Sequence, residues 1–147
     1  MPDPFVPFDI MILPCRDNAG PDHWQSHWQK AHPAFVRVVQ DDWITPCYAS
    51  WAMRLDDYVA RADRPVILIA HSLGTSLVMR WAHQGKAGSV AGAFLVAPSD
   101  RDAADIWPAA HQSGFAPMVL DCLPFPAVVL ASRNDPYVAF DRADLFA

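Results

Sequence analysis

Apolar residues fall along the chain in two alternating rhythms. Short, nearly unbroken apolar runs occur at 9–14, 35–39, 66–70, 90–97 and 127–131, as in strands that are covered on both faces. Between them the spacing becomes helical. Asp22 stands as a cap before a helix starting at His23, in which Trp24 and Trp28 share one face. Over 50–62, Trp51, Leu55, Tyr58 and Val59 recur at helical intervals, and Arg64-Pro65 marks the exit. A third helix is predicted over 73–84, closed by Gly85. Strands separated by helices predict an α/β domain of three layers, α/β/α, with a parallel sheet. The stretch 99–126 breaks the rhythm. A connection of that length carries a short helix or covers a site.

Composition narrows the picture. A chain of 147 residues, 52% hydrophobic and 18% charged, is expected to form one domain over 1–147. It shows no internal repeat, low-complexity tract or linker. Its formal charge of −5, with two Lys and nine Arg, excludes a nucleic-acid binder, which needs a basic face. Cys15, Cys47 and Cys122 form no metal-type cluster and no even-numbered framework, so reduced thiols and a cytoplasmic location are expected. The proline-broken start has no basic n-region, and no apolar run approaches the roughly 18 residues of a membrane helix. No membrane association and no cofactor are expected.

The sharpest chemical feature is Ala70-His71-Ser72-Leu73-Gly74, which follows the clearest strand and opens a helix. Small residues two before and two after a serine suit a tight strand-to-helix turn that holds the hydroxyl exposed and strained. Ala70 stands for the first Gly of the usual G-x-S-x-G pattern. Ser72 then reads as a nucleophile, with the Leu73 N–H at the helix start as one oxyanion donor. The plainer alternative is a serine that only caps the helix. A serine nucleophile in this fold class is followed in chain order by its acid and then its histidine. Asp135 lies just beyond a strand, two strands after the elbow, where that acid belongs. It also reads as an ordinary turn residue before Pro136. Asp100 is the second candidate. The base is harder to place, because all six histidines precede Asp135. Neighbouring side chains at an elbow point apart, which disfavours His71, and His111 lies in the long connection.

The loop after the first strand faces the crevice that open parallel sheets form at their strand ends, and the Arg16 N–H there is the candidate second oxyanion donor. His23 and Trp24, on this loop and its helix, and Trp107, in the long connection, are candidate substrate contacts. His23 and His27 have metal-ligand spacing, but Trp24 and Gln25 stand where H-E-x-x-H has its Glu. No metal is expected there, and Trp24 and Trp28 are expected to pack in the core.

On these residues the chain resembles the YdeN-like, or retinoblastoma-binding protein 9, family of small single-domain serine hydrolases with the α/β-hydrolase fold. The likeness rests on Leu13-Pro14, Gly20-Pro21-Asp22-His23-Trp24-Gln25-Ser26-His27-Trp28, the Ser72 elbow, Val96-Ala97-Pro98 and Ser132-Arg133-Asn134-Asp135-Pro136. It implies Ser72 as nucleophile, Asp135 as triad acid and a small ester or amide as substrate. Cys15 and Arg16 stand where related sequences open the loop with Gly. The family's catalytic histidine lies in a Gly-His-x-Asn segment one helix and strand further on, and residues 141–147 read as the start of that helix. The expectation is therefore a C-terminally truncated hydrolase domain that lacks its last helix, last strand and histidine loop. A catalytically dead, hydrolase-like binding protein is the alternative.

Overall fold

The apolar runs pair side by side in a single parallel sheet. The computed structural model describes residues 4–103, 105–108 and 113–147. Its strands are β1 (Asp9–Leu13), β2 (Val36–Arg37), β3 (Val66–His71), β4 (Val90–Val96) and β5 (Ala127–Leu130), in the spatial order β2-β1-β3-β4-β5. The helices are α1 (Trp24–Ala31), α2 (Tyr48–Ala60), α3 (Leu73–Trp81) and α4 (Phe140–Leu145). Among the described residues, no helix is long and apolar enough to cross a membrane.

The period-two alternation of each strand divides the core between the two faces of the sheet. Met11, Leu13, Leu68, Ala70, Ala93 and Leu95 face one way and pack with Trp51 and Leu55 of α2, Leu77 and Trp81 of α3, and Ala143 of α4. Ile10, Ile12 and Ile69 face the other way, against Phe35, Trp24 and Phe94. The expected three layers are present, with α1 on one face of the sheet and the other helices opposite.

Several boundaries differ from the sequence reading, each for a local reason. Helix α1 starts one residue later and is capped by His23, whose Nδ1 accepts the Gln25 N–H at 3.2 Å, while Asp22 lies exposed. Trp28 is not a core residue. It is 40% exposed and stacks nearly parallel on Phe94. The second strand shrinks to Val36–Arg37 because it lies at the sheet edge, with Val36 and Val39 exposed. Helix α3 tightens into a 3-10 turn, Ala82–Gln84, before Gly85 ends it with φ +75°. Residues 99–126 form no helix or strand among the described residues, yet they bury Phe115 and Met118.

Two polar devices fix the end of the sheet that carries the site. Gln25 is fully buried, and its Nε2 donates to both Leu13 O and Ile69 O at 3.2 Å, tying β1 to β3. Arg37 binds the β1–α1 loop to α1, donating to Asn18 Oδ1 and Ala19 O at 2.9 Å and to Ser26 Oγ at 2.8 Å. Farther along, Arg142 of α4 grips Asp100 with two nitrogens, at 2.7 and 3.1 Å, and also reaches Asp102. That pairing holds the Asp100 carboxyl below its usual range.

Of the glycines, Gly74 sits in the tightest surroundings. A Cβ there would sit 2.5 Å from Leu13 O and 3.0 Å from Pro14 O. Ala in place of Gly in a helix gains about 1 kcal/mol of propensity, but these are backbone atoms with little freedom to withdraw. Overpacking costs of about 1–3 kcal/mol exceed that gain. Gly74→Ala is therefore expected to destabilise the protein in urea unfolding, opposite in sign to the same change at an open helical position.

Candidate active site

The chain leaves β3 and enters α3 with one residue between them. Ser72 adopts φ 50°, ψ −114°, a left-handed conformation costly for any residue with a Cβ and typical of strained functional positions. The surroundings hold it there. Its N–H donates to Val96 O at 3.0 Å, and its carbonyl accepts the Thr75 N–H and hydroxyl at 2.9 and 2.6 Å. With both backbone groups engaged, the hydroxyl makes no hydrogen bond among the described residues. Leu73, fully buried, opens α3 behind it.

Ser72 opens onto a cavity of about 540 Å³ at the C-terminal ends of the strands. Asp135, just after β5, lines the same cavity. Its Oδ1 accepts the Tyr137 N–H at 2.8 Å, so the turn geometry read from Pro136 is present together with placement on the cavity that holds the serine. The β1–α1 loop supplies Cys15, Arg16 and Asp17. This wall is anchored by Arg16 Nε on Ile44 O at 3.1 Å and by the Asp17 N–H on Trp43 O at 2.9 Å. Asp17 and Asn18 both take φ 65°, which short polar side chains tolerate better than most. Trp107, from the long connection, stacks on Tyr137 at 5.5 Å between ring centroids, and both lie on the cavity wall.

The structure thus brings Ser72, Asp135, Arg16 and Trp107 to one cavity, with Leu73 directly behind the serine. His23 and Trp24 are not part of its lining. They pack edge-on against His71, with centroids at 4.7 and 6.0 Å. Asp100 is taken up by Arg142 and does not line the cavity. His111 lies outside the described residues. Among the described residues no histidine nitrogen hydrogen-bonds Ser72 or Asp135, and no group of three or more His, Cys or Asp is placed to hold a metal.

One group the sequence reading passed over is Arg101. It is 3% exposed and lines the cavity. Its Nε donates to Ser99 Oγ at 3.1 Å, and its guanidinium lies 4.2 Å from the centre of the Trp107 ring. Burial pulls its pKa down to about 10, so it stays charged at neutral pH. In sequence it looks like any arginine after an Asp in a polar loop, and no pattern marks it.

His71 is held neutral. Its Nδ1 is buried without a hydrogen-bond partner. Burial first, and then the adjacent His23, lower its pKa from 6.5 to about 4, while Asp135 pulls the other way. A folded-state pKa below the unfolded one means that unfolding takes up a proton in this interval. Stability is therefore full above about pH 6.5 and is lost as pH falls toward about 4. At 1.36 kcal/mol per tenfold the ceiling is about 3 kcal/mol, which solvent screening reduces to about 1–2 kcal/mol. His71→Gln is expected to flatten the dependence of unfolding free energy on pH across that window. An unchanged slope would assign the acid sensitivity to other groups.

Known proteins resemble this chain in family and fold. A family model described as serine hydrolase matches residues 10–147. The crystal structure of a YdeN-like hydrolase from Pectobacterium atrosepticum superposes with a TM-score of 0.83 at 28% identity, over 97% of this chain and 72% of that one. The ydeN gene product of B. subtilis shares the fold with a TM-score of 0.68 at 19% identity, over 95% of this chain and 80% of that one. A hydrolase of the alpha/beta superfamily from Xanthomonas campestris does so at 0.63 and 15%, over 95% and 78%. No curated protein sequence matches the chain. With the family match extending from the first strand through α4, the chain belongs to the serine hydrolase family and has the α/β-hydrolase fold.

Proposed function

We propose that the protein cleaves a small ester or amide through an acyl-serine intermediate, in the manner of a carboxylesterase, acting on soluble substrates in the cytoplasm. The observation that carries this reading is the strained Ser72 opening onto the same cavity as Asp135. The Ser72 Oγ attacks the carbonyl carbon, and the charge that develops on the carbonyl oxygen is taken up by the Leu73 N–H and the Arg16 N–H. The serine proton passes to a histidine oriented by Asp135, which returns it to the leaving alcohol or amine. Water then repeats the sequence on the acyl-enzyme.

The histidine is the step at which the family likeness supplies what the described residues do not. His71 is neutral and close in sequence, but it makes no hydrogen bond to the serine. The likeness sets the base in a Gly-His-x-Asn segment that follows a further helix and strand. The competing reading, a hydrolase-like binding protein without turnover, is favoured by the lack, among the described residues, of a histidine hydrogen-bonded to Ser72 or Asp135.

With no histidine engaged among the described residues, the protein is expected to retain only the residual catalysis of binding and oxyanion stabilisation, on the order of 10³–10⁴-fold over water. Incubation with a short-chain nitrophenyl ester followed by mass spectrometry should show slow formation of one acyl adduct, mapped to Ser72. Ser72→Ala should remove the adduct and leave the circular dichroism spectrum unchanged. An adduct that persists in Ser72→Ala rejects Ser72 as the nucleophile.

Ser72→Gly provides a separate check on the elbow. If the backbone is strained there, removing Cβ should raise the melting midpoint, by an amount equivalent to about 1 kcal/mol. Ser72→Ala, which keeps Cβ, should not. Equal midpoints for the two variants would show that the elbow stores no strain.

A further inference from the structure

We infer that Arg101 is the anchor for a carboxylate carried by the substrate, so that the cavity selects acyl compounds bearing a negative charge over neutral ones of the same size. The inference rests on the hydrolase reading of Ser72 and names the substrate class for that site. Three observations carry it.

First, Arg101 is almost completely buried, yet it belongs to the cavity wall that also holds Ser72. Second, no carboxylate neutralises it among the described residues. Asp100 and Asp102, its immediate neighbours in sequence, are both held by Arg142, and Asp17 lies 4.0 Å from Arg16. Nor does Cys15 supply the missing charge, because burial raises its thiol pKa and keeps it protonated. Third, Nε is committed to Ser99, and the face of the guanidinium rests on Trp107. The plane of the fork is therefore fixed, and its terminal nitrogens, with no hydrogen-bond partner among the described residues, are left for a ligand. A buried cation without a counter-charge is costly, and an apolar residue of similar length would fill the space against Trp107 without that cost. A bidentate partner arriving with the substrate removes the cost.

The surrounding charges decide which anion. Arg16 and Asp17, 4.0 Å apart, line the cavity as an offsetting pair, and Asp135 lines it as well, so a dianionic phosphate would meet one uncompensated cation and the Asp135 carboxylate. A monoanionic carboxylate is matched one to one. The apolar wall of Ile106, Trp107 and Pro108 suits the short carbon chain that would join that carboxylate to the reacting carbonyl.

The test is a binding titration on the 147-residue protein that needs no turnover. Monomethyl succinate and dimethyl succinate, nearly equal in size and differing by one charge, are titrated against tryptophan fluorescence and ligand-observed NMR, in the parent chain and in Ser72→Ala. The anion is expected to bind about tenfold or more tightly than the neutral diester in both proteins. Arg101→Gln should abolish the difference, and Arg101→Lys should keep part of it. Equal affinity of the two ligands for the parent chain overturns the inference, even if the Arg101 variants do not fold. A preference that survives in folded Arg101→Gln also overturns it, as does tighter binding by inorganic phosphate than by monomethyl succinate. The acyl adduct on Ser72 is read independently. Retained anion preference without acylation rejects only the hydrolase chemistry, whereas acylation without anion preference rejects only the role of Arg101.

Discussion

The site depends on one close contact, the first turn of α3 pressed against the last carbonyls of β1. At Gly74 there is no room for even a single methyl group beside Leu13 O. That approach sets the distance between the serine elbow and the loop carrying Cys15 and Arg16, the two pieces of backbone that flank the oxyanion in the proposed reaction. Gln25 locks the same corner from the opposite face of the sheet by bridging the Leu13 and Ile69 carbonyls. Hydrophobic burial alone would tolerate a looser arrangement. Bonds to named carbonyls do not.

The electrostatics of the cavity follow from how each charge is held. His71 is kept neutral by burial and by His23, so it adds no positive charge beside the serine. Arg16 is partly compensated by Asp17, and Arg142 is spent outside the cavity on Asp100 and Asp102. What remains is one buried guanidinium and the Asp135 carboxylate facing a shared space. That pattern polarises the cavity from one side to the other.

The sequence made the architecture legible because each strand is a run of apolar residues bounded by a clear break, and the Ser72 elbow because its small residues occupy positions where the backbone is crowded. That Asp135 would reach the cavity of Ser72 was legible from chain order. The limits arose where tertiary context decides. The second strand was overextended because Val36 and Val39 look like core residues but lie at an exposed edge. Trp28 was placed inside because aromatic spacing does not say which side of a helix meets the sheet. Arg101 left no trace because its role depends on where a loop without secondary structure places one long side chain. His23 and Trp24 were read as cavity residues from their proximity to the strand end, yet the path of α1 turns them toward His71.

The Gly74 contact also divides the cavity into two walls held in different ways. The wall formed by the β1 loop and the start of α3 is keyed to backbone atoms, so nearly any change there shifts Ser72 relative to the loop of Cys15 and Arg16. The wall formed by Ile106, Trp107 and Pro108 belongs to a connection with no helix or strand among its described residues, held to the rest of the fold by buried Phe115 and Met118 and by single bonds such as Tyr48 N–H to Ser113 O and Arg80 to Pro117 O. Mutations in that second wall can reshape what the cavity accepts without touching the machinery opposite. Diversification within such a scaffold should therefore be lopsided, with one side of the pocket frozen by packing and the other free to drift toward new ligands.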